Sequence, residues 1–482
     1  MALMLTMSLA AMDITIVATV VPQIVNDLGE FDLFSWLFSI YLLAQTITIP
    51  IYGKLADIYG RKPVLMGGTA LFLLGSAACA LSWGMIPLIV FRALQGLGAG
   101  SIMATVNTLA GDLYSTRERA RVQGWLSSVW GVAAIVGPTL GGAFAEYATW
   151  RWVFLINLPI GLAAIGLIAR YLHEHPSTKK HTIDYAGALL MMLAGAAGVF
   201  GLLQGGNAWP WLSLPSLGTF ALVALLIAAT VVRERQAAEP IMPGWVWRQR
   251  IMLGSNLGVL GMGLIMMAPG TYLPVFAQSV MGLGPISAGL VLASMSLGWV
   301  AASAWSGQLY LQFGFRNTAL FGAAMILAAV IGFIGLPPNP AVWLVTADQV
   351  LLGAGFGMLS TPLLVGVQSK VPWGQRGVAT SANMWSRYLG QSLGAALAGA
   401  LFNNAMNNTL AGAPAALAAT LPAATEVMTA LQTLPTHSDS GRFLLSAFDT
   451  ATHHVYLGML AVALLTILVV LLVPRHQKAA QA

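Results

Sequence analysis

The chain has 482 residues, of which 57% are hydrophobic and 8% are charged, and its formal net charge is +6. Because soluble domains carry about 25% charged residues, this composition excludes a set of ordinary soluble domains. It indicates a polytopic membrane protein, since apolar stretches of about 20 residues, the length a helix needs to cross a bilayer, recur along the chain.

Fourteen such stretches predict an all-α fold with one transmembrane helix for each. In chain order the predicted spans are 2–22, 33–52, 64–83, 87–109, 122–145, 151–171, 185–204, 212–232, 252–278, 285–309, 317–336, 342–365, 377–402 and 454–473. The segments between them hold nearly all of the charge. The single cysteine, Cys79, lies in the third span and cannot form an internal disulfide.

The basic residues predict the orientation of the chain. Lys and Arg gather in the segments after even-numbered spans and in the C-terminal tail. The other side holds two basic residues beside three acids: Arg151, Arg442, Asp27, Glu30 and Asp32. The positive-inside rule therefore predicts that both termini lie on the cytoplasmic side of the membrane, which is expected to be a bacterial inner membrane. The positive charge is explained by this orientation and does not indicate nucleic-acid binding. A cleaved signal peptide is the alternative for the first span, which lacks a basic leader.

A weak internal repeat divides the chain into halves. The motif RALQGLGAG at 92–100 is echoed by QVLLGAGFG at 349–357, an offset of 257 residues. That offset suits eight spans, so we predict two parallel six-span bundles with spans 7 and 8 inserted between them. The predicted units are 1–172, 173–250 and 251–482.

The third unit contains a long external loop, 403–453, before the last span. The middle of this loop has helix-forming residues with an apolar stripe. This pattern favours a helix on the membrane surface or over the mouth of a cavity, and a segment without structure or function is an equal alternative.

Two ionisable residues inside the spans are the sharpest functional signal. Asp13 lies near the middle of span 1 and Arg92 lies a few residues inside span 4. A charge inside a membrane is costly and is by default a functional hypothesis. If spans 1 and 4 adjoin, the Arg92 side chain can reach Asp13. The arginine then favours the charged form of Asp13 while burial disfavours it, so the protonation of this acid can respond to a substrate. The alternative is that Asp13 serves as an interhelical hydrogen-bond partner beside Thr15 and that Arg92 is structural.

Three further charged residues are weaker candidates. Asp348, in span 12, is a candidate for a second proton-binding or cation-binding acid. Glu146 is a further candidate acid, although its place at the outer edge of span 5 is more typical of a solvated rim charge. Arg387, in span 13, either pairs with an acid or lines a cavity.

The segment GKLADIYGRK at 53–62 is predicted to form a tight turn that takes part in gating. Orientation alone explains its basic residues but not Asp57. A carboxylate in that place is suited to hold a helix N-terminus or a neighbouring arginine as a breakable latch. The candidate gating residues are Gly53, Asp57, Gly60, Arg61 and Lys62.

A second candidate gate is the sequence GPTLGG at 137–142 in span 5. Glycines at four-residue spacing allow close approach of helices, and packing is the default explanation for them. Pro138 removes a backbone hydrogen bond and is expected to bend the helix beside a glycine hinge. The candidate residues are Gly137, Pro138, Gly141 and Gly142.

These motifs resemble those of the major facilitator superfamily, and within it the fourteen-span drug:proton antiporters. GKLADIYGRKPV at 53–64 is similar to the signature loop between spans 2 and 3, and RALQGLGAG is similar to the span 4 motif. GVAAIVGPTLGG at 131–142 resembles the span 5 motif of exporters. MDITIVATVVPQI at 12–24 and WRWVFLINLPIG at 150–161 resemble motifs of spans 1 and 6.

The resemblance implies alternating access of a central cavity, driven by an inward proton gradient with no cofactor. It makes Asp13 the proton-coupling and cation-recognition acid and Arg92 its modulator. Partners would be a small-molecule substrate, protons and the lipid bilayer, with a functional monomer and with a periplasmic adaptor left open. Span 13 has no carboxylate where some exporters of divalent cations have one, which disfavours such cargo unless Asp348 substitutes.

The first functional hypothesis is therefore an exporter of lipophilic, often cationic drugs. Its candidate cavity residues are Trp36, Tyr41, Gln45, Tyr272, Gln278, Trp299 and Arg387, and lipid packing explains the aromatic ones equally well. An exporter of one metabolite, siderophore or lipid is the alternative on the same fold. A receptor or scaffold is disfavoured by the gate motifs. No phosphate-binding loop, metal-ligand cluster or catalytic motif indicates an enzyme.

Overall fold

The computed structural model describes residues 1–29, 33, 36–174, 184–205, 209–337, 340–414, 417, 421–422, 427 and 438–475. Two of the acids used above for the orientation, Glu30 and Asp32, and most of the middle of the predicted 403–453 loop lie outside these residues.

The described part of the chain is a bundle of long helices. The first half contains α1 (Ala2–Leu28), α2 (Trp36–Tyr59), α3 (Arg61–Ala80), α4 (Met85–Leu113), α5 (Thr116–Tyr147), α6 (Trp152–Leu155) and α7 (Asn157–Tyr171). The inserted pair is α8 (Tyr185–Gln204) and α9 (Leu214–Gln236), followed by the short α10 (Trp245–Arg248). The second half contains α11 (Arg250–Ser279), α12 (Pro285–Phe313), α13 (Phe315–Ile334), α14 (Val342–Ser369), α15 (Arg376–Ala411) and α16 (Asp439–Val470).

Every predicted span coincides with a helix, and α6 and α7 share the sixth. Thirteen spans in the described chain are long and apolar enough to cross a membrane. Among the helices that match predicted spans, the one outside this set is α15, which has 36 residues but carries polar side chains such as Asn383 and Arg387 along its length. A cavity-lining helix can carry them because its polar side faces protein rather than lipid. The predicted all-α membrane fold is confirmed.

Many helices extend beyond the predicted span edges, and three of these ends change a predicted loop or turn. Helix α15 continues to Ala411 and α16 begins at Asp439, so the segment between them is shorter than the predicted loop 403–453. Helix α2 continues through Asp57 to Tyr59, so the predicted turn at 53–62 is mostly helical. Hydropathy marks the apolar part of a helix, whereas backbone hydrogen bonding continues into polar residues until a cap ends it. Ser438 is such a cap, since its hydroxyl accepts a hydrogen bond from the Gly441 amide at 3.0 Å.

The glycines of the repeated motif pack in the same way in both halves. Gly98 faces α3, where an added Cβ would lie 2.7 Å from the Gly68 carbonyl oxygen, and its repeat partner Gly355 faces α13, 2.9 Å from the Gly322 carbonyl oxygen. Two residues further along, Gly100 and its partner face α2 and α12 respectively. The halves therefore share one helix arrangement, which the 257-residue offset predicts.

The two halves meet along α2 with α15 and along α5 with α12. The hydrogen bonds described below between α2, α4, α14 and α15 gather at one face of the bundle. This face is where α1 begins, α2 turns into α3 at Gly60 and α15 begins at Arg376, and we call it the terminal face. The inserted pair packs on the flank of α2, where the rings of Trp36 and Phe200 stack with centroids 6.0 Å apart.

Candidate functional site: a buried ion pair, a central cavity and an interhelical latch

Asp13 and Arg92 form an ion pair between α1 and α4. Nη1 of Arg92 donates to Oδ2 of Asp13, and neither side chain has any exposed surface. The sequence placed both residues inside spans but could not establish that the spans adjoin. The tertiary structure brings them together in the interior of the first half.

The Asp13 carboxylate also accepts hydrogen bonds from two amides. Gln95, one turn from Arg92 on α4, donates from Nε2 to Oδ1 at 2.8 Å. Asn157, at the start of α7, donates to the same oxygen at 3.4 Å. Both amides also donate to the Ser76 hydroxyl, at 3.2 and 3.0 Å. Four helices, α1, α3, α4 and α7, therefore contribute to one polar network around the acid.

The Arg92 guanidinium is held by groups besides the acid. Its Nε donates to the Leu37 carbonyl oxygen at 3.0 Å, and its Nη1 also donates to Gln95 Oε1 at 2.8 Å. Its carbon lies 4.3 Å from the centre of the Tyr41 ring, a cation–π contact. Its Nη2 has no hydrogen-bond partner in the described structure. The pair is thus enclosed but not fully satisfied, and removing either charge leaves the other uncompensated.

Sequence reasoning missed Gln95, Ser76 and Asn157. The signal for them was available, because Gln95 lies three residues after Arg92 and Asn157 lies in the quoted span 6 motif. Amide and hydroxyl side chains carry no charge and do not stand out in an apolar span. Only the packing of α3, α4 and α7 shows that the two amides meet at one carboxylate and that Ser76 accepts a hydrogen bond from each.

A central cavity of about 340 Å³ lies between the halves. It is within the range of drug-sized sites. Its apolar walls include Trp130 and Trp299 together with four methionines, and amides and hydroxyls such as those of Asn107, Gln123 and Gln391 are interspersed. Methionine and aromatic walls can repack around different apolar ligands.

Two of the seven candidate cavity residues, Trp299 and Arg387, line this cavity. The other five lie elsewhere in the described structure. Gln45 donates to the hydroxyl of the lining residue Tyr388 at 3.3 Å but lies behind it. The remaining four are Tyr41, which covers Arg92, Trp36, which packs on α8, Tyr272, which stacks on Phe402, and Gln278, which is half-buried near the end of α11. Aromatic character alone did not separate cavity walls from helix packing.

Asp13 itself is not among the cavity-lining residues, whereas its neighbours Ile14 and Thr15 are. Its carboxylate points away from the cavity toward α4. In this conformation, therefore, the Asp13 carboxylate contacts side chains of α4 and α7 and does not reach the cavity.

Asp57 holds the N-terminus of α15 across the interface between the halves. Its two carboxylate oxygens accept hydrogen bonds from the Gly377 and Val378 amides, each at 2.9 Å. Arg61 donates to the same carboxylate at 2.9 Å and to the Trp373 carbonyl oxygen at 2.6 Å. A carboxylate at a helix N-terminus is favoured by the free amides and the helix dipole. Asp57 thus makes both contacts considered for it, a helix N-terminus and an arginine.

A second carboxylate, Asp112 at the end of α4, completes this latch. It accepts from Nε of Arg61 at 2.8 Å and from Nη1 of Arg376 at 3.0 Å, so it joins α3 to the start of α15. Nearby, Gln368 donates to the Asn107 carbonyl oxygen at 3.0 Å. Charged and amide hydrogen bonds therefore contribute to closing the terminal face.

The remaining residues of the 53–62 segment have separate places. Gly53 lies against α15, where an added Cβ would be 2.6 Å from the Gly377 carbonyl oxygen. Gly60 has φ +95°, a left-handed conformation that glycine adopts without strain, and α3 begins directly after it. Lys62 lies outside the latch and donates from Nζ to the Ala169 carbonyl oxygen at 2.8 Å.

The predicted gate in α5 packs against α1. An added Cβ on Gly141 would lie 2.9 Å from the Ile16 carbonyl oxygen, and Gly137 packs on Thr15. The Thr15 hydroxyl donates to the Ala133 carbonyl oxygen at 2.9 Å. Helix α5 is continuous through Pro138, and Gly142 faces open space. Close α1–α5 contact is thus a feature of two of the three glycines.

The two weaker candidate acids lie apart from Asp13. Asp348 is partly buried on α14, where Gln349 donates to it at 3.1 Å. Glu146 is exposed near the end of α5. Within the described residues, no group of three or more His, Cys, Asp or Glu side chains is arranged to hold a metal ion.

At the face opposite the terminal face, Asp27 links the end of α1 to the start of α6. Its carboxylate accepts from Nη1 of Arg151 at 2.8 Å and from the Trp150 indole at 2.9 Å. The hydrogen bond from Arg151, with that from Trp150, lowers the pKa of Asp27. This exposed ion pair fixes the end of α1 at the face opposite the terminal face.

Comparison with known proteins agrees with this geometry. Residues 3–395 match the profile of the Major Facilitator Superfamily. Multidrug resistance protein 3 of Bacillus subtilis is 34% identical over 392 residues, which cover 81% of this chain and 76% of that protein. Multidrug transporter protein MdtP of the same organism is 32% identical over 388 residues, covering 80% and 72%. The crystal structure of a bacterial homologue of the iron transporter ferroportin matches 98% of each chain with a TM-score of 0.62 at 15% identity, a likeness that shows the fold alone.

Proposed function

We propose that this chain, which belongs to the Major Facilitator Superfamily, is a proton-coupled exporter of lipophilic compounds that works by alternating access. The observation that carries the proposal is the enclosed Asp13–Arg92 pair on helices that border the central cavity. The two relatives from Bacillus subtilis, Multidrug resistance protein 3 and Multidrug transporter protein MdtP, support drug efflux as the function. The superfamily consists of transporters, so no enzymatic step is invoked.

The charge pattern supports an orientation in which the terminal face lies on the cytoplasmic side of a bacterial inner membrane, because this face carries most of the Lys and Arg residues. The latch around Asp57 then closes the cytoplasmic side in this conformation. Export then requires that the latch opens, that a compound enters the cavity from the cytoplasmic side, and that the latch closes again behind it.

In this proposal Asp13 couples a proton to the transport cycle. As a carboxylate it holds Arg92 and the amides of Gln95 and Asn157. A proton bound at the carboxylate cancels the charge that the guanidinium faces, so this network must rearrange. The neighbouring residue Thr15 lines the cavity and bonds to α5, which gives the rearrangement a direct mechanical route to the α1–α5 contact.

The cationic preference expected from Asp13 is not part of this proposal. That expectation required the carboxylate to meet the substrate, and in this structure the carboxylate is enclosed by α3, α4 and α7, away from the cavity lining. The proposal concerns lipophilic compounds of any charge, since Met and Trp walls select for apolar area.

The test is transport in proteoliposomes with an imposed proton gradient. Wild type, Asp13→Asn and the surface variant Asp439→Asn, which removes an exposed acid near the start of α16, are compared with a panel of lipophilic dyes. Wild type and Asp439→Asn should move at least one dye against its concentration gradient. Asp13→Asn should lose this uphill movement and keep exchange down a dye gradient. Uphill transport by Asp13→Asn at the wild-type rate would refute the coupling role.

A further inference from the structure

Arg387 is the unusual residue of the central cavity. It lies on α15, eleven residues after Arg376, which places it roughly 16 Å from the terminal-face end of that helix. Among the described residues that line the cavity, it is the one that carries a charge. A guanidinium at such a depth is costly unless something compensates it.

The described structure gives this guanidinium no ion-pair or hydrogen-bond partner. Its Nε is buried without an acceptor, and its carbon lies 5.1 Å from the centre of the Tyr388 ring. The contrast with Arg92 is direct, since Arg92 has a carboxylate and two oxygen acceptors from other groups. A guanidinium that reaches the cavity with free N–H donors can donate to an acceptor on a ligand from outside the chain.

Two amides of the cavity lining, Gln391 and Gln123, also have N–H donors that meet only weak acceptors. The Gln391 amide, one turn along α15, donates only to the Met266 sulfur at 3.3 Å, a weak acceptor. The Gln123 amide reaches Asn107 Oδ1 at 3.4 Å, near the limit of a hydrogen bond. Each can turn toward a stronger acceptor in the cavity without losing a strong bond.

We infer that the cavity takes lipophilic organic anions, compounds with an apolar body and one carboxylate or sulfonate, and that Arg387 determines this preference. The guanidinium binds the acidic group through parallel N–H donors, the geometry that matches a carboxylate. The Trp and Met walls bind the apolar body. This inference rests on the proposed function for the site's role, and it names the chemical class of the substrate.

The test is binding to the full chain in lipid nanodiscs, with no proton gradient. Three dansyl probes share one fluorophore: dansylglycine has a carboxylate, its methyl ester is neutral, and dansylcadaverine has an ammonium group. Wild type should bind dansylglycine about tenfold or more tightly than the ester, the difference that a charge-assisted hydrogen bond supplies. Dansylcadaverine should bind no better than the ester.

Three variants assign the preference to Arg387. Arg387→Gln should lose the advantage of dansylglycine over the ester and keep the affinity for the ester. Arg387→Lys should restore part of it, because the charge remains but the paired donors do not. Arg442→Gln, a matched change at an exposed arginine paired with Asp439, should bind all three probes as wild type does.

Two results would overturn the inference. One is wild type that binds the ammonium probe most tightly or does not distinguish acid from ester, a comparison that needs no variant to fold. The other is an equal loss of all three probes in Arg387→Gln with no recovery in Arg387→Lys, which makes Arg387 a packing residue. Because no gradient is present, failure of proton coupling leaves these binding results unchanged and is detected only in the transport assay.

Discussion

Asp57, at the end of α2 in the first half, accepts a hydrogen bond at 2.9 Å from the Gly377 amide at the start of α15 in the second half. The two halves are thus joined by a carboxylate on a helix N-terminus. Such a contact is directional and is made or lost as a unit, since a shift of about 1 Å already removes it. It therefore helps to close one face of the cavity, beside the apolar contacts that Met384 and Tyr388 of α15 make with the first half.

Asp57→Asn should therefore open the terminal face. The amide loses the charge that binds the α15 amides and Arg61, which shifts the population toward the open state by about tenfold. The reporter is a cysteine at the lining residue Ser127, introduced in a Cys79→Ser background. Its labelling by an impermeant maleimide in inside-out vesicles should speed up in Asp57→Asn and not in Asp439→Asn. An unchanged labelling rate in Asp57→Asn would contradict the latch.

The Asp13–Arg92 pair predicts a non-additive effect on stability. Asp13→Asn leaves a buried guanidinium uncompensated and should lower the free energy of unfolding by about 3–5 kcal/mol. Arg92→Gln leaves the buried Asp13 carboxylate uncompensated and should lower it by a similar amount. The double variant removes both charges and should be more stable than either single variant. Thermal unfolding in nanodiscs measures all three.

The same double variant separates structure from coupling. It should fold well and still fail to move a dye uphill, because the protonatable group is absent. If the double variant is as unstable as the sum of the single changes, the two side chains do not interact as the structure shows. Recovery of uphill transport would assign the proton to another residue.

Adjacent glycines in α5 should respond oppositely to the same change. Gly141→Ala places a Cβ 2.9 Å from the Ile16 carbonyl oxygen, so α1 and α5 must separate, and a loss of about 1–3 kcal/mol is expected. Gly142→Ala meets open space and should be neutral or stabilising, since alanine is the better helix former. Melting temperature in detergent compares the two. Equal loss in both would indicate that helix flexibility, and not close packing, matters there.

Trp299 and Trp36 provide a test of the cavity's position. Trp299 lines the cavity, whereas Trp36 stacks on Phe200 of the inserted pair. Trp299→Ala should weaken binding of a neutral lipophilic dye about tenfold through lost apolar contact. Trp36→Ala should leave that affinity within a factor of two of wild type, which corresponds to a binding free energy changed by no more than about 0.4 kcal/mol. Tryptophan-to-dye energy transfer or dye titration in nanodiscs measures both, and an equal effect would place the binding site elsewhere.

The sequence predicted the individual helices and the repeat well for a physical reason. A bilayer demands about 20 apolar residues for each helix, so length and hydropathy alone mark them. The glycines at 92–100 and 349–357 repeat because close helix contact needs them at the same places in both halves. Helix ends were less accurate, as the start of α16 shows, because a helix can extend beyond the apolar layer.

The sequence by itself also singled out Asp13, Arg92 and Asp57, because a charge in or beside an apolar span has a free-energy cost that must be compensated. Only the tertiary structure decided how each cost is compensated. It enclosed Asp13 with Arg92 and two amides, placed Asp57 on a helix N-terminus of the other half, and left Arg387 facing the cavity alone. The physical reason is that these contacts join residues distant in the chain, whose distances depend on how the helices pack and not on local pattern.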